Sequence, residues 1–293
     1  MDSAVDSFRE AFGEVKRRTL DDGVAEDFIV DSKASVSEIA QFISSVFGDA
    51  QIDIIVQDVK NRRKNLLIAD MDSTIIAQEC IDELADYAGL KSEISAITEQ
   101  AMRGEIDFEE ALTKRVGMLK GLPESILEEC FRSRISLNPG AITLVATMKA
   151  RGAQTVLVSG GFTFFVSRVA QIAGFQSYRA NELMIEDGAL TGELRRPILG
   201  RKAKELALHQ FAENFSVPLG QTLAVGDGAN DLDMINASGL GVAYRAKPKV
   251  AAAAHASIRY SDLTALLYAQ GIASCDFVVI DDILRADRKI GQS

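Results

Sequence analysis

Two aspartates separated by one residue, Asp70 and Asp72, are the side chains in this sequence whose types and spacing first suggest chemistry. A carboxylate can attack an electrophile, and a second carboxylate nearby can move a proton. The pair could therefore catalyse the transfer of a group through a covalent intermediate. Taken alone, the stretch is equally compatible with a polar loop after a strand.

The apolar run LLIA at 66–69 comes immediately before Asp70. An unbroken run of this length predicts a strand that is buried on both faces, as in a parallel sheet. Ligands bind beyond the carboxyl ends of such strands. We therefore expect both aspartates at this edge, where water or a cation lowers the cost of keeping them ionised.

A second buried strand, at 155–158, leads into Ser159, Gly160 and Gly161. Glycine lacks a Cβ, so its amide can be approached closely, and the helix predicted after this turn adds a favourable dipole. The segment could hold phosphate oxygens.

A third buried strand, at 222–225, ends in GDGANDLD. Asp227, Asn230 and Asp231 offer the hard oxygen ligands that Mg²⁺ prefers. Lys202, at the start of a predicted helix, could supply the positive charge that a phosphoryl transition state needs. Each signal is weak alone, because such turns are common and a lysine at a helix start is usually solvated. Their order along the chain is the stronger observation.

Strands that alternate with helices predict an α/β fold with a Rossmann-like parallel sheet and helices on both faces. About sixty helical residues interrupt the alternation, more than one crossover needs. We interpret residues 78–135 as a helical cap over a core of residues 63–77 and 136–270. Residues 271–293 form a tail for which we have no functional account.

Residues 1–62 are predicted to form a separate small α/β module. Helical spacing at 3–18 and 36–47 alternates with strand-like segments at 28–30 and 52–56. No motif here carries chemistry, so packing is the simplest role. Ligand sensing and a homodimer remain open.

Composition limits the classes of protein to consider. The net charge of −10 argues against nucleic acid or an anionic membrane as partner. The three cysteines are far apart and show no CxxC pair, which suits a reducing compartment. The first residues do not resemble a secretory signal, and no apolar run approaches the length of a membrane span. We expect a cytoplasmic protein.

The motifs DMDST, SGG, a lysine and GDGAND, in this order, resemble those of the haloacid dehalogenase-type phosphatases. The longer stretches LIADMDSTIIAQECIDELA, MRGEIDFEEALTKRV, LVSGGFTFFV and VGDGANDLDMINASGLGVAYRAKPKV are similar to the members that act on phosphoserine. The resemblance covers about residues 65–270.

The resemblance implies a magnesium-dependent hydrolysis of O-phosphoserine, the last step of serine biosynthesis. Asp70 would be the nucleophile that forms an aspartyl phosphate, and Asp72 the general acid and base. The metal would be held by Asp70, the main-chain carbonyl of Asp72 and Asp227, with Asn230 and Asp231 in or near its shell.

The resemblance also implies which residues bind the substrate. Ser159, the Gly160 amide and Lys202 would hold the phosphoryl oxygens. Glu79 would bind the substrate ammonium, and Arg115 the carboxylate, which suits its planar fork. The remaining implied positions are apolar residues of the cap, Met102 and Phe108.

Other functions fit the residues less well. A serine hydrolase needs a base, but neither His209 nor His255 lies in a strand-end turn, and SGGF is not a GxSxG elbow. Neither GxGxxG after the first strand nor a P-loop motif is present. A receiver-like phospho-acceptor remains a non-enzymatic rival, although it would leave Asp72 without a role. A related phosphatase or phosphotransferase, acting on phosphothreonine or another phosphomonoester, is the alternative within the enzyme class.

Overall fold

A six-stranded parallel sheet forms the centre of the computed structural model, which describes residues 2–102 and 105–279. Its strands are β3 Leu66–Ala69, β4 Gln154–Phe162, β5 Ser177–Asn181, β8 Thr222–Gly226, β9 Leu240–Tyr244 and β10 Ala256–Ile258. Their order across the sheet is β10-β9-β8-β3-β4-β5. The expected α/β class with a parallel sheet is confirmed.

Strand β3 lies in the middle of this sheet and is fully buried. Leu67 and Ala69 pack in the larger hydrophobic cluster, whereas Leu66 and Ile68 pack in a second cluster on the opposite face. The unbroken apolar run therefore reflects burial on both faces, as expected for a parallel sheet covered by helices. Ladder pairing joins β3 to β4 on one side and to β8 on the other.

Helices cover the sheet on both faces. The helices after residue 135 include α7 Ala141–Ala150, α8 Thr163–Ala173, α9 Arg201–Asn214, α10 Leu232–Ala237, α11 Pro248–Ala251 and α12 Ala265–Ala269. The spacing of apolar residues predicts helices at 142–151, 164–173 and 202–215, which agree with α7, α8 and α9 to within a residue at each end. Strands β5 and β10 were not predicted.

Between β3 and β4 the chain forms consecutive helices, as the helical interruption predicts. These are α3 Cys80–Tyr87, α4 Lys91–Met102, α5 Phe108–Met118 and α6 Ser125–Arg134. The Asp107 side chain caps α5 by accepting hydrogen bonds from the amides of Glu109 and Glu110.

Alternating residues around the Asp187-Gly188 pair predict a hairpin, which is present as β6 Leu183–Glu186 and β7 Ala189–Leu194. It contacts the turn between α5 and α6. The Gly121 amide donates to Leu190 O at 2.8 Å, and the Leu190 amide donates to Leu122 O at 2.9 Å. The end of α5 is thus attached to the hairpin by backbone hydrogen bonds.

The amino-terminal segment contains α1 Asp2–Phe12, a β1 Val15–Asp21 and β2 Ala25–Val30 hairpin, and α2 Val36–Phe47. The predicted helix at 3–18 is wrong beyond Phe12, because Gly13 adopts a left-handed φ of 79° and β1 follows. The strand predicted at 52–56 is also wrong, since these residues pair with no strand within the described part of the chain.

Charged side chains attach this segment to the residues around β10 and α12. Arg62 forms a two-pronged ion pair with Asp27, at 2.7 and 2.9 Å, and its Nε donates to Ala269 O at 2.8 Å. Asp53 accepts hydrogen bonds from the successive amides of residues 259–261.

Among the described helices, none combines the length and apolar character required to cross a membrane. The predicted tail is described only as far as residue 279, so most of it lies outside the described residues.

Candidate active site

The three polar segments singled out in the sequence meet because their strands are neighbours. β3 lies between β4 and β8, and all three run in the same direction. Asp70 follows β3, Ser159 lies near the end of β4, and Asp227 follows β8. Parallel strands end at one edge of a sheet, so the site is assembled there.

A buried lysine, Lys204, forms the electrostatic centre of the site. Its Nζ lies 2.7 Å from Asp70 Oδ1 and 2.6 Å from Asp231 Oδ1. Burial disfavours the ammonium form, but the carboxylates of Asp231 and Asp70 outweigh this effect and raise the pKa of Lys204. Asp231 is further held by the Gly228 amide, which donates to Oδ2 at 3.0 Å.

The prediction that Lys202 holds phosphoryl oxygens is wrong. Its side chain is 73% exposed and pairs with Glu205 on the same helix. Two residues along a helix correspond to a turn of about 200°, so Lys202 and Lys204 lie on opposite faces. A signal for the correct residue is present in the sequence. Lys204 has the three- and four-residue spacing to Ala207 and Leu208 that marks the buried face of α9.

Asp72 is held on both sides of its carboxylate. Oδ1 accepts a hydrogen bond from the Cys80 amide at 2.9 Å, and Oδ2 accepts one from Ser159 Oγ at 3.2 Å. Burial raises the pKa of Asp72, with these hydrogen bonds opposing the shift. A carboxyl with a raised pKa can carry a proton near neutral pH, as a general acid must.

Three carboxylates lie close enough to share a cation. Asp70, Asp227 and Asp231 each offer an oxygen, and these oxygens are within 4.8 Å of one another. Burial and the neighbouring Asp231 raise the pKa of Asp227 to about 7, and burial raises that of Asp70 even though Lys204 opposes it. Three carboxylates and one ammonium leave two formal negative charges, so a divalent cation with a preference for oxygen ligands fits this set.

The side chain of Asp72 is not in that cluster. Its oxygens face Cys80 and Ser159 instead. That the main-chain carbonyl of Asp72 binds the metal remains a prediction. Asp231, expected only in a supporting role, is a member of the cluster.

A cavity of about 300 Å³ extends from these carboxylates to helices α3, α4 and α5. Asp70 and Asp72 line one part, and Glu79 and Arg115 line another. The structure therefore brings these four side chains to one cavity, while their roles stay predictions. Asn230 also lines the cavity.

Glu79 and Arg115 place an acidic and a basic side chain in this cavity. Burial, followed by the nearby carboxylates of Asp72 and Asp227, raises the pKa of Glu79 to about 8. Glu79 Oε1 accepts a hydrogen bond from Ser73 Oγ at 2.6 Å. The Arg115 side chain is buried, with Nη1 donating to Thr98 Oγ1 at 2.9 Å.

The segment after Ser159 is not the tight turn that the sequence suggested. β4 continues to Phe162, with an irregular register after Val158. The Gly161 amide donates to Ser159 Oγ at 2.8 Å. Gly160 lines the cavity, and a Cβ on it would lie only 2.8 Å from Cζ of Phe108.

Phe108 thus closes the cavity against the glycine segment, as an apolar cap residue would. The side chain of Met102 lies outside what the structure describes.

Sequence reasoning missed several residues of the site besides Lys204. Thr74 Oγ1 donates to Asp227 Oδ1 at 3.2 Å, and Thr98 and Arg201 line the cavity. Thr74 belongs to the DMDST motif, which is a usable signal. No signal in the sequence distinguishes Arg201 and Thr98 from ordinary helix residues.

Comparisons with known proteins agree with this geometry. The family model described as haloacid dehalogenase-like hydrolase matches residues 67–236. A phosphoserine phosphatase from Haemophilus influenzae is 43% identical over 221 residues, which cover 75% of this chain and 70% of that protein. A phosphoserine phosphatase from Streptomyces coelicolor is 44% identical over 221 residues, which cover 75% of this chain but 54% of that longer protein.

A solved structure described as a phospho-aspartyl intermediate analogue of phosphoserine phosphatase superposes with a TM-score of 0.67. It is 38% identical in sequence and covers 70% of this chain and 98% of its own.

Proposed function

Because the chain belongs to the haloacid dehalogenase-like hydrolases, and within them to the phosphoserine phosphatases, we propose that it hydrolyses O-phospho-L-serine to L-serine and phosphate. The observation that carries this proposal is one cavity lined both by Asp70 and Asp72 and by the acidic Glu79 and the basic Arg115. The first pair suits phosphoryl transfer, and the second suits the zwitterionic end of an amino acid.

In this proposal Asp70 attacks phosphorus and forms an aspartyl phosphate. The ion pair with Lys204 keeps Asp70 oriented and supplies positive charge where the phosphate dianion approaches a carboxylate. Ser159 and the amide of Gly160 are proposed to hold the phosphoryl oxygens. Lys204 takes the role that the sequence assigned to Lys202.

Asp72 protonates the leaving serine oxygen and then removes a proton from the water that hydrolyses the aspartyl phosphate. A general acid is needed because an alkoxide is a poor leaving group. The hydrogen bonds from the Cys80 amide and Ser159 Oγ hold the Asp72 carboxylate in a single orientation.

We propose Mg²⁺ as the cation. Its proposed ligands are the carboxylates of Asp70, Asp227 and Asp231 and the main-chain carbonyl of Asp72, with Asn230 close to them. The hard oxygen ligands and the excess negative charge support this choice. When bound, the ion neutralises developing charge on the phosphoryl oxygens.

The cap residues are proposed to select the substrate. Glu79 binds the ammonium and Arg115 the carboxylate, while Phe108 closes the apolar side of the cavity. The role of Met102 as an apolar contact stays a prediction from the family resemblance. Residues 78–135 would act as a lid over the core formed by 63–77 and 136–270, with 1–62 and 271–293 as separate parts.

The test is a turnover panel with Mg²⁺ that compares phosphoserine, phosphothreonine, O-phosphoethanolamine and a sugar phosphate. We expect the highest kcat/KM for phosphoserine. One additional methyl group changes binding by about 1–3 kcal/mol, so phosphothreonine is the demanding comparison. A higher kcat/KM for phosphothreonine or a sugar phosphate would overturn the proposal. A single bound phosphate with negligible turnover would indicate a receiver-like acceptor instead.

A role in serine biosynthesis in the cytoplasm follows from the same proposal. A homodimer remains a prediction, which light scattering on the purified protein would test.

A further inference from the structure

The guanidinium of Arg115 uses only part of its hydrogen-bonding capacity within the protein. Nε donates to Ala111 O at 3.2 Å, and Nη1 donates to Thr98 Oγ1 at 2.9 Å. Within residues 2–102 and 105–279, no protein acceptor takes a hydrogen bond from Nη2. The side chain is buried and lines the cavity, so its remaining N–H groups are available to a ligand there.

The hydroxyl of Thr98 connects this guanidinium to a carboxylate on another helix. Thr98 Oγ1 lies 3.3 Å from Asp82 Oδ1 and 3.1 Å from Ile94 O. A hydroxyl has one proton and two lone pairs. It therefore shares its proton between these two acceptors and keeps a lone pair for the Nη1 donor of Arg115.

This arrangement ties together three cap helices at one atom. Asp82 belongs to α3, Thr98 to α4 and Arg115 to α5. Asp82 is itself oriented by Ser95 Oγ, which donates to Oδ2 at 3.2 Å. The acidic side chain also attracts the guanidinium electrostatically, across the hydroxyl.

We infer that Thr98, oriented by Asp82, is a positioning residue that holds Arg115 in the conformation that binds the substrate carboxylate. This inference rests on the proposed function. An arginine side chain has many rotamers, and fixing one before the ligand arrives removes an entropy cost from binding. The hydrogen bond from Arg115 Nε to Ala111 O in the same helix does not by itself fix the direction of Nη1 and Nη2. The Thr98 hydroxyl fixes that direction by accepting a hydrogen bond from Nη1.

The test uses two substrates that differ in the carboxylate. O-phosphoserine carries it, whereas O-phosphoethanolamine keeps the phosphate ester and the ammonium but lacks it. Thr98→Val removes the hydroxyl at nearly constant volume. We expect it to raise KM for phosphoserine about tenfold, with kcat and the KM for phosphoethanolamine changed by less than about twofold. Thr98→Ser keeps the hydroxyl and should restore the wild-type KM.

Thr147→Val is the matched control. Thr147 is a buried threonine of α7 whose Oγ1 accepts a hydrogen bond from the Val278 amide at 2.9 Å, and it does not line the cavity. The Thr147→Val substitution should leave the KM values for phosphoserine and O-phosphoethanolamine unchanged. If circular dichroism shows that Thr98→Val does not fold, Asp82→Asn becomes the variant that tests the positioning role. That variant should raise the KM for phosphoserine selectively, by about threefold.

Equal KM increases for the two substrates, an unchanged KM in Thr98→Val, or a Thr98→Ser variant as impaired as Thr98→Val would each overturn the positioning role. An Asp82→Asn variant without selectivity would do the same where it is the deciding variant. Each of these outcomes concerns the variants and is compatible with phosphoserine turnover by the wild-type protein. If the wild-type protein did not turn over phosphoserine, the proposed function itself would be overturned.

Discussion

Lys204 and Asp70 form a buried ion pair in which Nζ lies 2.7 Å from Oδ1. The same ammonium reaches Asp231, so one lysine joins residues that follow two neighbouring strands. Breaking a buried pair by removing one partner is costly, because the other charge stays buried without compensation. Position 204 is therefore the most direct test of how the site works.

Lys204→Met should lower kcat for phosphoserine by about 10²–10³-fold, as expected for losing one electrostatic contact to the transition state. Lys202→Met is the matched control, since that lysine is exposed and pairs only with Glu205 in the described residues. It should change kcat by less than about twofold and stability by less than about 0.5 kcal/mol. Steady-state kinetics and thermal melting measure both, and equal effects of the two substitutions would contradict the site as described.

Asp72→Asn should slow both the formation and the hydrolysis of the aspartyl phosphate, because the amide can neither give nor take the required proton. Loss of general acid–base catalysis corresponds to a fall of about 10²–10⁴-fold in kcat. Rapid-quench experiments with ³²P-labelled substrate would follow the two steps separately. A variant with the wild-type rate would remove Asp72 from the chemistry, whereas Asp70→Asn should form no labelled protein at all.

Arg115→Ala should raise KM for phosphoserine much more than for O-phosphoethanolamine. Truncating one partner of a buried, hydrogen-bonded charge pair costs about 2–5 kcal/mol, which is at least about 30-fold in affinity. Arg115→Lys should recover only part of the loss, because an ammonium cannot bind a carboxylate in the planar two-pronged geometry. If KM rose equally for both substrates, the arginine would not recognise the carboxylate.

The pH dependence of kcat/KM should report the ionisation of Glu79. Burial raises the pKa of this carboxyl to about 8 in the metal-free protein, so it is mostly protonated below that pH and ionised above it. Binding the substrate ammonium requires the ionised form, so kcat/KM should increase with pH through this range. A cation at the acidic cluster favours the carboxylate and should move the midpoint to lower pH. In Glu79→Gln, kcat/KM should no longer increase with pH through this range. If the variant showed the same increase as the wild type, the titrating group would be a different residue.

Removing divalent cations with EDTA should abolish turnover, and Mg²⁺ should restore it. The folded protein alone brings Asp70, Asp227 and Asp231 together, so Mg²⁺ should also raise Tm without substrate. At a concentration of about 100 times Kd, the expected stabilisation is about 2.7 kcal/mol. Asp227→Asn should weaken this shift. Identical Tm values with EDTA and with Mg²⁺ would argue against a cation at this cluster.

Local sequence signals predicted the elements that depend on local interactions. Apolar residues spaced three and four apart at 81–87 predict a helix that agrees with α3. The helix predicted at 36–47 agrees with α2, where Ser35 and Glu38 form a capping box. Elements that depend on distant partners were predicted less well. Residues 52–56 alternate like a strand but pair with no strand among the residues that the structure describes, while β5 and β10 join the sheet without an apolar run of their own. Strand formation requires a neighbour, and a single segment does not reveal one.

The sequence by itself determined which chemical groups are available and in what order they follow buried strands: a carboxylate pair, a hydroxyl with glycines, and an acidic turn. Only the tertiary structure decided which of two nearby lysines reaches Asp70, because the direction of a side chain depends on how its helix rotates against the sheet. The structure also brought Glu79 and Arg115 into the same cavity as Asp70. Residues as distant in the chain as Asp70 and Arg115 meet only through the packing of helices α3, α4 and α5 at the sheet edge, which no local pattern encodes.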